Sequence, residues 1–196
     1  MLTRLEFDAL LRPVSDPGKR IALFGALLAR ESGLNAKLEV TGGSAMTVYS
    51  QSRISSADVD IVGDRRRIVP VLRRWGFIAQ EDPEDGRVYW RREDHSLAVD
   101  IVRRGRRAGS GRSGTSRVIA TEAGDVYLTA IEDLIVRRLV FWSRDGTPAL
   151  LDHAVLLFLE HSDEIDLDYL EFEVRYEKID VAYRELRRLA EAAGRK

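Results

Sequence analysis

Hydrophobic positions recur at helical spacing in the first clear element of the chain, residues 17–32. Ile21, Phe24 and Leu28 follow one another at intervals of three and four residues, so they share one face of a helix. Asp16 is a typical helix cap, a proline occupies the first helical position, and a glycine follows the last. The pattern therefore predicts an amphipathic helix near the N-terminus.

Shorter elements follow along the chain. In some the hydrophobic residues recur at the two-residue spacing of a strand, and in others at the spacing of a helix. The pattern predicts strands over 37–41, 57–62, 77–80, 88–91, 97–102, 118–120 and 126–128. It predicts helices over 44–49, 65–75, 130–142, 148–160, 166–174 and 178–192. Thr129 and Glu132 have the spacing of a capping box at the start of the C-terminal helices. We therefore expect an α/β domain over residues 1–128 and a helical domain over residues 129–196.

Composition is typical of a folded, soluble protein. Of the 196 residues, 44% are hydrophobic and 32% are charged, and the chain has no cysteine. The lack of cysteine excludes disulfide scaffolds, cysteine-based zinc sites and thiol nucleophiles, and it fits the reducing cytoplasm in which we expect the protein. The longest apolar run, 21–29, is shorter than the roughly 20 residues of a membrane-spanning helix, and charges interrupt the N-terminus. We expect neither a membrane segment nor a signal peptide.

Charge is unevenly distributed, although the net charge is only −1. Residues 61–117 hold 14 Arg against 8 Asp or Glu, whereas residues 145–196 hold 7 Lys or Arg against 13 Asp or Glu. The basic part includes segment 103–116, an Arg/Gly/Ser stretch whose largest apolar residue is alanine, which predicts a loop. Two interpretations of this loop stay open: a solvated linker, or a basic surface that steers a nucleotide or grips RNA.

Three aspartates on predicted strands point to metal chemistry. Asp58 and Asp60 are two residues apart on one strand, so their side chains share a face, and Asp100 lies on a later strand between apolar neighbours. Three carboxylates on adjacent strands would repel one another unless a cation lay between them. Oxygen ligands of this kind suit Mg²⁺ or Mn²⁺. We therefore predict that these three aspartates hold divalent cations.

A glycine turn precedes the aspartates, between a predicted strand and a predicted helix. Gly42 permits a sharp turn, Gly43 permits close approach of the backbone to an anion, and Ser44 offers a hydroxyl. The N-terminus of the following helix adds positive potential. Such a turn by itself is usually only a turn. Its order before the aspartates indicates a triphosphate held next to metal ions.

At these motifs the sequence VTGGSAMTVYSQSRISSADVDIV resembles the core motif of the DNA polymerase β-type nucleotidyltransferase superfamily. Within it, the sequence is similar to the small bacterial branch that contains the abortive-infection type IV toxins. Arg53 stands where that branch has an arginine before its carboxylate pair. The resemblance covers about residues 38–160. It departs from the toxins further on, where Arg137 or Arg138 replaces a lysine and a second Lys-Asp pair is missing.

The resemblance implies a nucleotidyltransferase fold, a mixed sheet flanked by helices, followed by a C-terminal helical bundle. It implies transfer of a nucleoside monophosphate from a nucleoside triphosphate (NTP) to a hydroxyl, with release of pyrophosphate. Asp58 and Asp60 would bind the metals, and Asp100 would complete the site and accept the proton of the attacking hydroxyl. The nucleotide-binding residues that it implies are Gly42, Gly43, Ser44, Arg53, Arg137 and Arg138.

Several alternatives stay open at this point. The acceptor is a tRNA 3′ end, a protein hydroxyl or a small molecule, and the sequence does not choose among them. A toxin role would bring an antitoxin partner. A different class of function is a non-catalytic protein of the same fold that binds a nucleotide or a partner. A third is a nucleic-acid-binding module built on the basic middle segment, against which the net charge of −1 argues.

Overall fold

The computed structural model describes residues 1–84, 86–95, 97–102 and 114–194. They form two compact units. The first contains the described residues of 1–102 together with 118–128, and the second contains 114–117 and 129–194. The predicted Arg/Gly/Ser loop lies outside the described residues, except for its last three positions.

Helix α2 (Pro17–Ser32) has the bounds that its pattern predicts. The carboxylate of Asp16 accepts a hydrogen bond of 2.8 Å from the backbone N–H of Lys19, which satisfies one of the free donors at the helix start. The helix ends at Gly33, whose φ of +64° is the left-handed conformation that glycine adopts without steric cost. The Asp16 cap and the left-handed glycine at position 33, both recognisable in the sequence, therefore account for the first and last residues of α2.

Helix α1 (Arg4–Leu11) is an element that the hydrophobic pattern did not predict. Its start is a capping box: the Thr3 hydroxyl accepts from the Glu6 N–H, and the Glu6 carboxylate accepts from the Thr3 N–H. Phe7 and Leu11, one helical turn apart, are fully buried. A threonine followed by a glutamate three residues later was the signal in the sequence that could have revealed this helix.

The first unit also contains two further helices and the strands of one sheet, apart from Arg117, the first residue of the sixth strand. The helices are α3 (Gly42–Tyr49) and α4 (Arg65–Arg74). The strands are β1 (Glu39–Val40), β2 (Val59–Val62), β3 (Ile78–Glu81), β4 (Val88–Arg92), β5 (Leu97–Val102), β6 (Arg117–Thr121) and β7 (Gly124–Leu128). Short 3₁₀ turns lie at Asn35–Lys37 and Glu93–His95.

Within the part of the chain that the structure describes, seven strands form a mixed sheet in the order β3-β4-β5-β2-β1-β7-β6. Strand β2 pairs in parallel with β5 and antiparallel with β1, and β1 pairs in parallel with β7. Helix α2 packs closely on this sheet, because a Cβ atom on Gly25 would lie 2.8 Å from the side chains of both Val40 and Val126. The central strands are thus held between β-neighbours and a buried helix.

An aromatic cluster fills the core where α1, α2 and α4 come together. The Phe7 ring stacks on Trp75 with centroids 4.2 Å apart, and it meets Phe24 edge-on at 6.1 Å. All three side chains are fully buried. Aromatic pairs in such arrangements contribute about 0.5–1.5 kcal/mol to stability beyond the burial of their surface, so this cluster stabilises the first unit.

The second unit is helical: α5 (Ile131–Asp145), α6 (Pro148–Glu160), α7 (Leu167–Glu177) and α8 (Asp180–Ala193). The capping box predicted at Thr129 and Glu132 is wrong. The N-cap of α5 is Ala130, and the Glu132 carboxylate accepts a 2.8 Å hydrogen bond from the backbone N–H of Asp166 instead. The Glu132 carboxylate therefore accepts a hydrogen bond from a residue distant in sequence, and not from the helix start that local spacing predicted.

The predicted fold class is confirmed: a mixed sheet with helices packed on it, followed by a helical C-terminal part. Within the described residues, no helix has both the length and the apolar character needed to cross a membrane.

Candidate active site

The register between β2 and β5 places two of the predicted aspartates opposite each other. Asp60 and Asp100 are paired Cα positions of the two parallel strands. Their neighbours on both strands, such as Val59 and Val99, are buried, whereas the two aspartates are only half-buried. Because side chains alternate along a strand, the apolar residues enter the core and the carboxylates lie on the opposite face.

Asp58 lies directly before β2, two residues from Asp60, and it is also half-buried. The hydroxyl of Ser56 donates a hydrogen bond of 3.2 Å to its Oδ1. A Cβ atom on Gly43 would lie 2.7 Å from that same hydroxyl oxygen. The second glycine of the turn is therefore needed for the turn to approach the Ser56–Asp58 pair, a contact that sequence reasoning missed.

Ser44 connects helix α3 to the strand that carries the aspartates. It is fully buried, and its hydroxyl donates to the backbone carbonyl of Asp58 at 2.8 Å. The same oxygen accepts from the backbone N–H of Asp60, also at 2.8 Å. The sequence suggested phosphate as the partner of this hydroxyl. In the structure its partners are the two backbone groups on either side of Val59.

The N-terminus of α3 lies against the Asp60 carboxylate. Gly42, the first residue of the helix, has a φ of +58°, and a Cβ atom on it would lie 2.2 Å from Oδ2 of Asp60. Thr41, the N-cap residue, makes no side-chain capping bond. Since the first N–H groups of a helix have no partner within it, this end of α3 offers backbone donors beside a carboxylate.

The chemistry of these donors fits a divalent cation. Asp58, Asp60 and Asp100 offer the carboxylate oxygens that Mg²⁺ and Mn²⁺ bind, and because Gly42 has no Cβ the Asp60 carboxylate lies against the start of α3. The side chains themselves are not gathered: within the described part of the chain, no group of three or more His, Asp or Glu residues is arranged to hold a metal ion. The β2–β5 register nevertheless places Asp60 and Asp100 opposite each other at the backbone.

The predicted arginines lie on different elements. Arg53 follows α3 in the first unit, with an exposed side chain whose Nε donates to the Ser50 carbonyl at 3.2 Å. Arg137 and Arg138 lie on α5 in the second unit. Arg137 is exposed, with its guanidinium 5.6 Å from the centre of the Phe141 ring. Arg138 is half-buried, and its charge acts on His153. The pKa of the His153 imidazole is lowered first by burial and then by the positive charge of Arg138.

Comparisons with known proteins give likenesses of fold only. No family model matches the sequence, and no curated protein matches it. One similar structure is the crystal structure of an antigenic nucleotidyltransferase-like protein from Paracoccidioides brasiliensis. The alignment covers 67% of this chain and 75% of that protein's chain, at 16% sequence identity and a TM-score of 0.47.

Two structures of the antibiotic-resistance factor ANT(2'')-Ia are also similar. The solution structure matches 90% of this chain and 97% of its own, at 14% identity and a TM-score of 0.48. The crystal structure in complex with adenylyl-2''-tobramycin matches 86% and 97%, at 16% identity and a TM-score of 0.49. At identities and TM-scores this low, the likenesses carry no argument about the activity of this chain.

A cavity of about 740 Å³ lies elsewhere in the first unit. Its lining comes from the start of α2, the end of α3 and strand β6, and includes Lys19, Val48 and Ile119. Asp58, Asp60 and Asp100 do not line it. The candidate site is therefore a half-buried face on β2 and β5, distinct from this cavity.

Proposed function

We propose that this chain is a metal-dependent nucleotidyltransferase, which moves a nucleoside monophosphate from an NTP to a hydroxyl acceptor. One juxtaposition carries the proposal. Asp60 stands opposite Asp100 in the β2–β5 register, and Gly42 at the start of α3 lies against the Asp60 carboxylate. Carboxylates bind divalent cations and a helix start binds phosphate, and an NTP–metal complex needs both at one place.

In this proposal Asp58, Asp60 and Asp100 hold Mg²⁺ or Mn²⁺. The bound ions would neutralise charge on the phosphates and favour the ionised form of the attacking hydroxyl. The backbone donors at Gly42 and Gly43 bind the triphosphate, and the exposed Arg53 adds positive charge. The proposed roles rest on the chemistry of these residues and on their places on or beside α3, β2 and β5.

The transfer itself is a displacement at the α-phosphorus. The acceptor oxygen forms a new bond to this phosphorus, and the bond to the oxygen that bridges the α- and β-phosphates breaks. The electron pair of the broken bond leaves with pyrophosphate. The proton of the acceptor hydroxyl passes to the Asp100 carboxylate. The protein's part is to hold the reacting groups in line and to take up this proton.

The alternative is a non-catalytic protein of the same fold that binds a nucleotide or a partner. Such binding would use the start of α3 and would not require three carboxylates around a metal ion. This second candidate predicts NTP binding without transfer.

Label transfer separates the two candidates. The chain is incubated with each α-³²P-labelled NTP and Mg²⁺ or Mn²⁺, in the presence of total tRNA, a cell lysate or no acceptor. The variant Asp60→Asn removes the carboxylate that faces Asp100. Asp125→Asn is the matched control, because it removes an exposed carboxylate on β7 of the same unit.

We expect label on an acceptor with the wild-type chain and with Asp125→Asn, and at least about a 100-fold loss with Asp60→Asn, the scale at which a group acting in proton transfer or metal binding contributes. Label on RNA identifies a nucleic-acid acceptor, and label on a protein band identifies a protein acceptor. NTP binding by calorimetry with no label in any fraction would support the non-catalytic candidate instead. Equal labelling by wild type and Asp60→Asn would contradict the proposed site.

A further inference from the structure

Both hydrogen bonds of the Ser44 hydroxyl are to the backbone of Asp58 and Asp60. The hydroxyl has a single proton, which it donates to the carbonyl of Asp58, while its oxygen accepts the N–H of Asp60. The side chain is fully buried. A direct hydrogen bond from Ser44 to a phosphate would therefore require the bond to Asp58 to break at a site without access for solvent.

We infer that Ser44 is a positioning residue, which sets the backbone that carries Asp58 and Asp60, and that the phosphates are bound by other groups. The inference deepens the proposed function and rests on it for its effect on metal binding and transfer. The hydrogen bonds themselves do not depend on that function.

The Ser44 hydroxyl can affect both the Asp58 and the Asp60 carboxylate because its two hydrogen bonds are to the backbone of these two residues. The Asp58 carbonyl and the Asp60 N–H belong to the two peptide units that flank Val59. Fixing both sets the separation and direction of the two side chains, with Val59 directed to the core between them. Groups that orient metal ligands in this way typically change metal affinity or activity by about 10- to 100-fold when removed.

Thr47 provides a matched control on the same helix. It too is fully buried, and its hydroxyl donates to the Gly43 carbonyl at 2.9 Å, a bond within α3. Ser44→Ala and Thr47→Val each remove one buried hydroxyl from α3. Only Ser44→Ala removes a link between the helix and β2.

The test measures hydrogen exchange of the Asp60 amide by NMR and Mn²⁺ binding by electron paramagnetic resonance, for wild type and both variants, with thermal melts to verify folding. We expect Ser44→Ala to speed exchange of the Asp60 amide and to weaken Mn²⁺ binding, each by about 10-fold or more. Thr47→Val should change neither. Where transfer is measurable, Ser44→Ala should lower kcat and leave KM for the NTP nearly unchanged.

An unchanged Asp60 amide in Ser44→Ala would overturn the inference, as would a loss of metal-free NTP binding with Mn²⁺ affinity unchanged, which is the signature of a phosphate ligand. If wild type binds no Mn²⁺ and transfers no label, the proposed function fails; faster Asp60 exchange in Ser44→Ala would still support the positioning link. If Ser44→Ala does not fold, Ser44→Cys takes its place, because a thiol is similar in size and only a weak hydrogen-bonding group, and the same directions are expected.

Discussion

Gly42 and Asp60 lie so close together that a Cβ atom on the glycine would be 2.2 Å from Oδ2 of the aspartate. Gly42 also has a φ of +58°, which side-chain-bearing residues seldom adopt. Two separate constraints therefore require glycine here: the backbone conformation and the space in front of the carboxylate. The contact joins the start of α3 to Asp60 on β2.

Gly42→Ala should abolish metal binding and transfer, because the new methyl group would displace the Asp60 carboxylate. The control is Gly146→Ala at the end of α5, where φ is +67° but nothing lies within 4 Å of the added Cβ. Both variants carry the backbone cost of about 1 kcal/mol, and only Gly42→Ala adds the clash. Calorimetric Mn²⁺ titration and urea unfolding distinguish them. Equal losses of Mn²⁺ affinity in the two variants would show that the cost of placing alanine in a left-handed backbone conformation, and not a clash with the Asp60 carboxylate, accounts for the loss.

Expression of the chain in a bacterial host tests the toxin role that the resemblance implies. If the protein modifies an essential RNA or protein, induction should arrest growth, and Asp60→Asn should relieve the arrest at the same expression level. Asp125→Asn should remain toxic, since its carboxylate is exposed on β7 away from the β2–β5 pairing. Growth curves with immunoblots of expression supply the measurement. Normal growth with active wild-type enzyme would exclude toxicity in that host.

Arg92 forms a buried ion cluster that should be a major determinant of stability. Its side chain is 2% exposed, and its guanidinium nitrogens lie 2.7 Å from carboxylate oxygens of both Asp8 and Asp94. Arg92→Met leaves the largely buried Asp8 without this partner, and such a loss typically costs about 3–5 kcal/mol. The control Arg188→Met removes an exposed partner of Glu185 on α8 and should leave the unfolding midpoint almost unchanged. Similar urea midpoints for both variants would contradict a dominant role for the cluster.

Tyr169 should make the stability of the chain fall at high pH. Burial raises the pKa of its hydroxyl, and the hydrogen bond of 2.5 Å that it donates to Asp133 raises the pKa further. Because the folded-state pKa is above that of the unfolded chain, the contribution is complete below pH about 10, the ordinary tyrosine pKa, and is lost as the pH rises above it.

Tyr169→Phe removes this contribution. The difference in free energy of unfolding between wild type and Tyr169→Phe should therefore shrink between pH 8 and pH 11, as measured by urea unfolding. Tyr176→Phe, at an exposed position of the same helix, controls for the loss of a tyrosine hydroxyl. A difference that stays constant over this range would show that the hydroxyl is not held in its protonated form by the fold.

Elements defined by local interactions agree best with their sequence patterns. Helix α2 has its predicted bounds because its cap at Asp16 and its end at Gly33 depend on atoms a few residues away. The same reasoning failed at Glu132, whose carboxylate is used by the Asp166 N–H, 34 residues away in sequence. A capping pattern predicts a helix start only when no tertiary partner competes for the side chain.

For the candidate site, the sequence alone predicted the alternation that would put Asp58 and Asp60 on one face of a strand, because that period is a property of the extended backbone; in the structure β2 begins at Val59, directly after Asp58. The sequence also showed that a glycine turn and a helix come before them. Only the tertiary structure decided that Asp60 stands opposite Asp100 and that Ser44 bonds to β2. Strand register and the partner of a buried hydroxyl depend on contacts between segments distant in the chain, which pack together by shape and hydrogen bonding that no local pattern encodes.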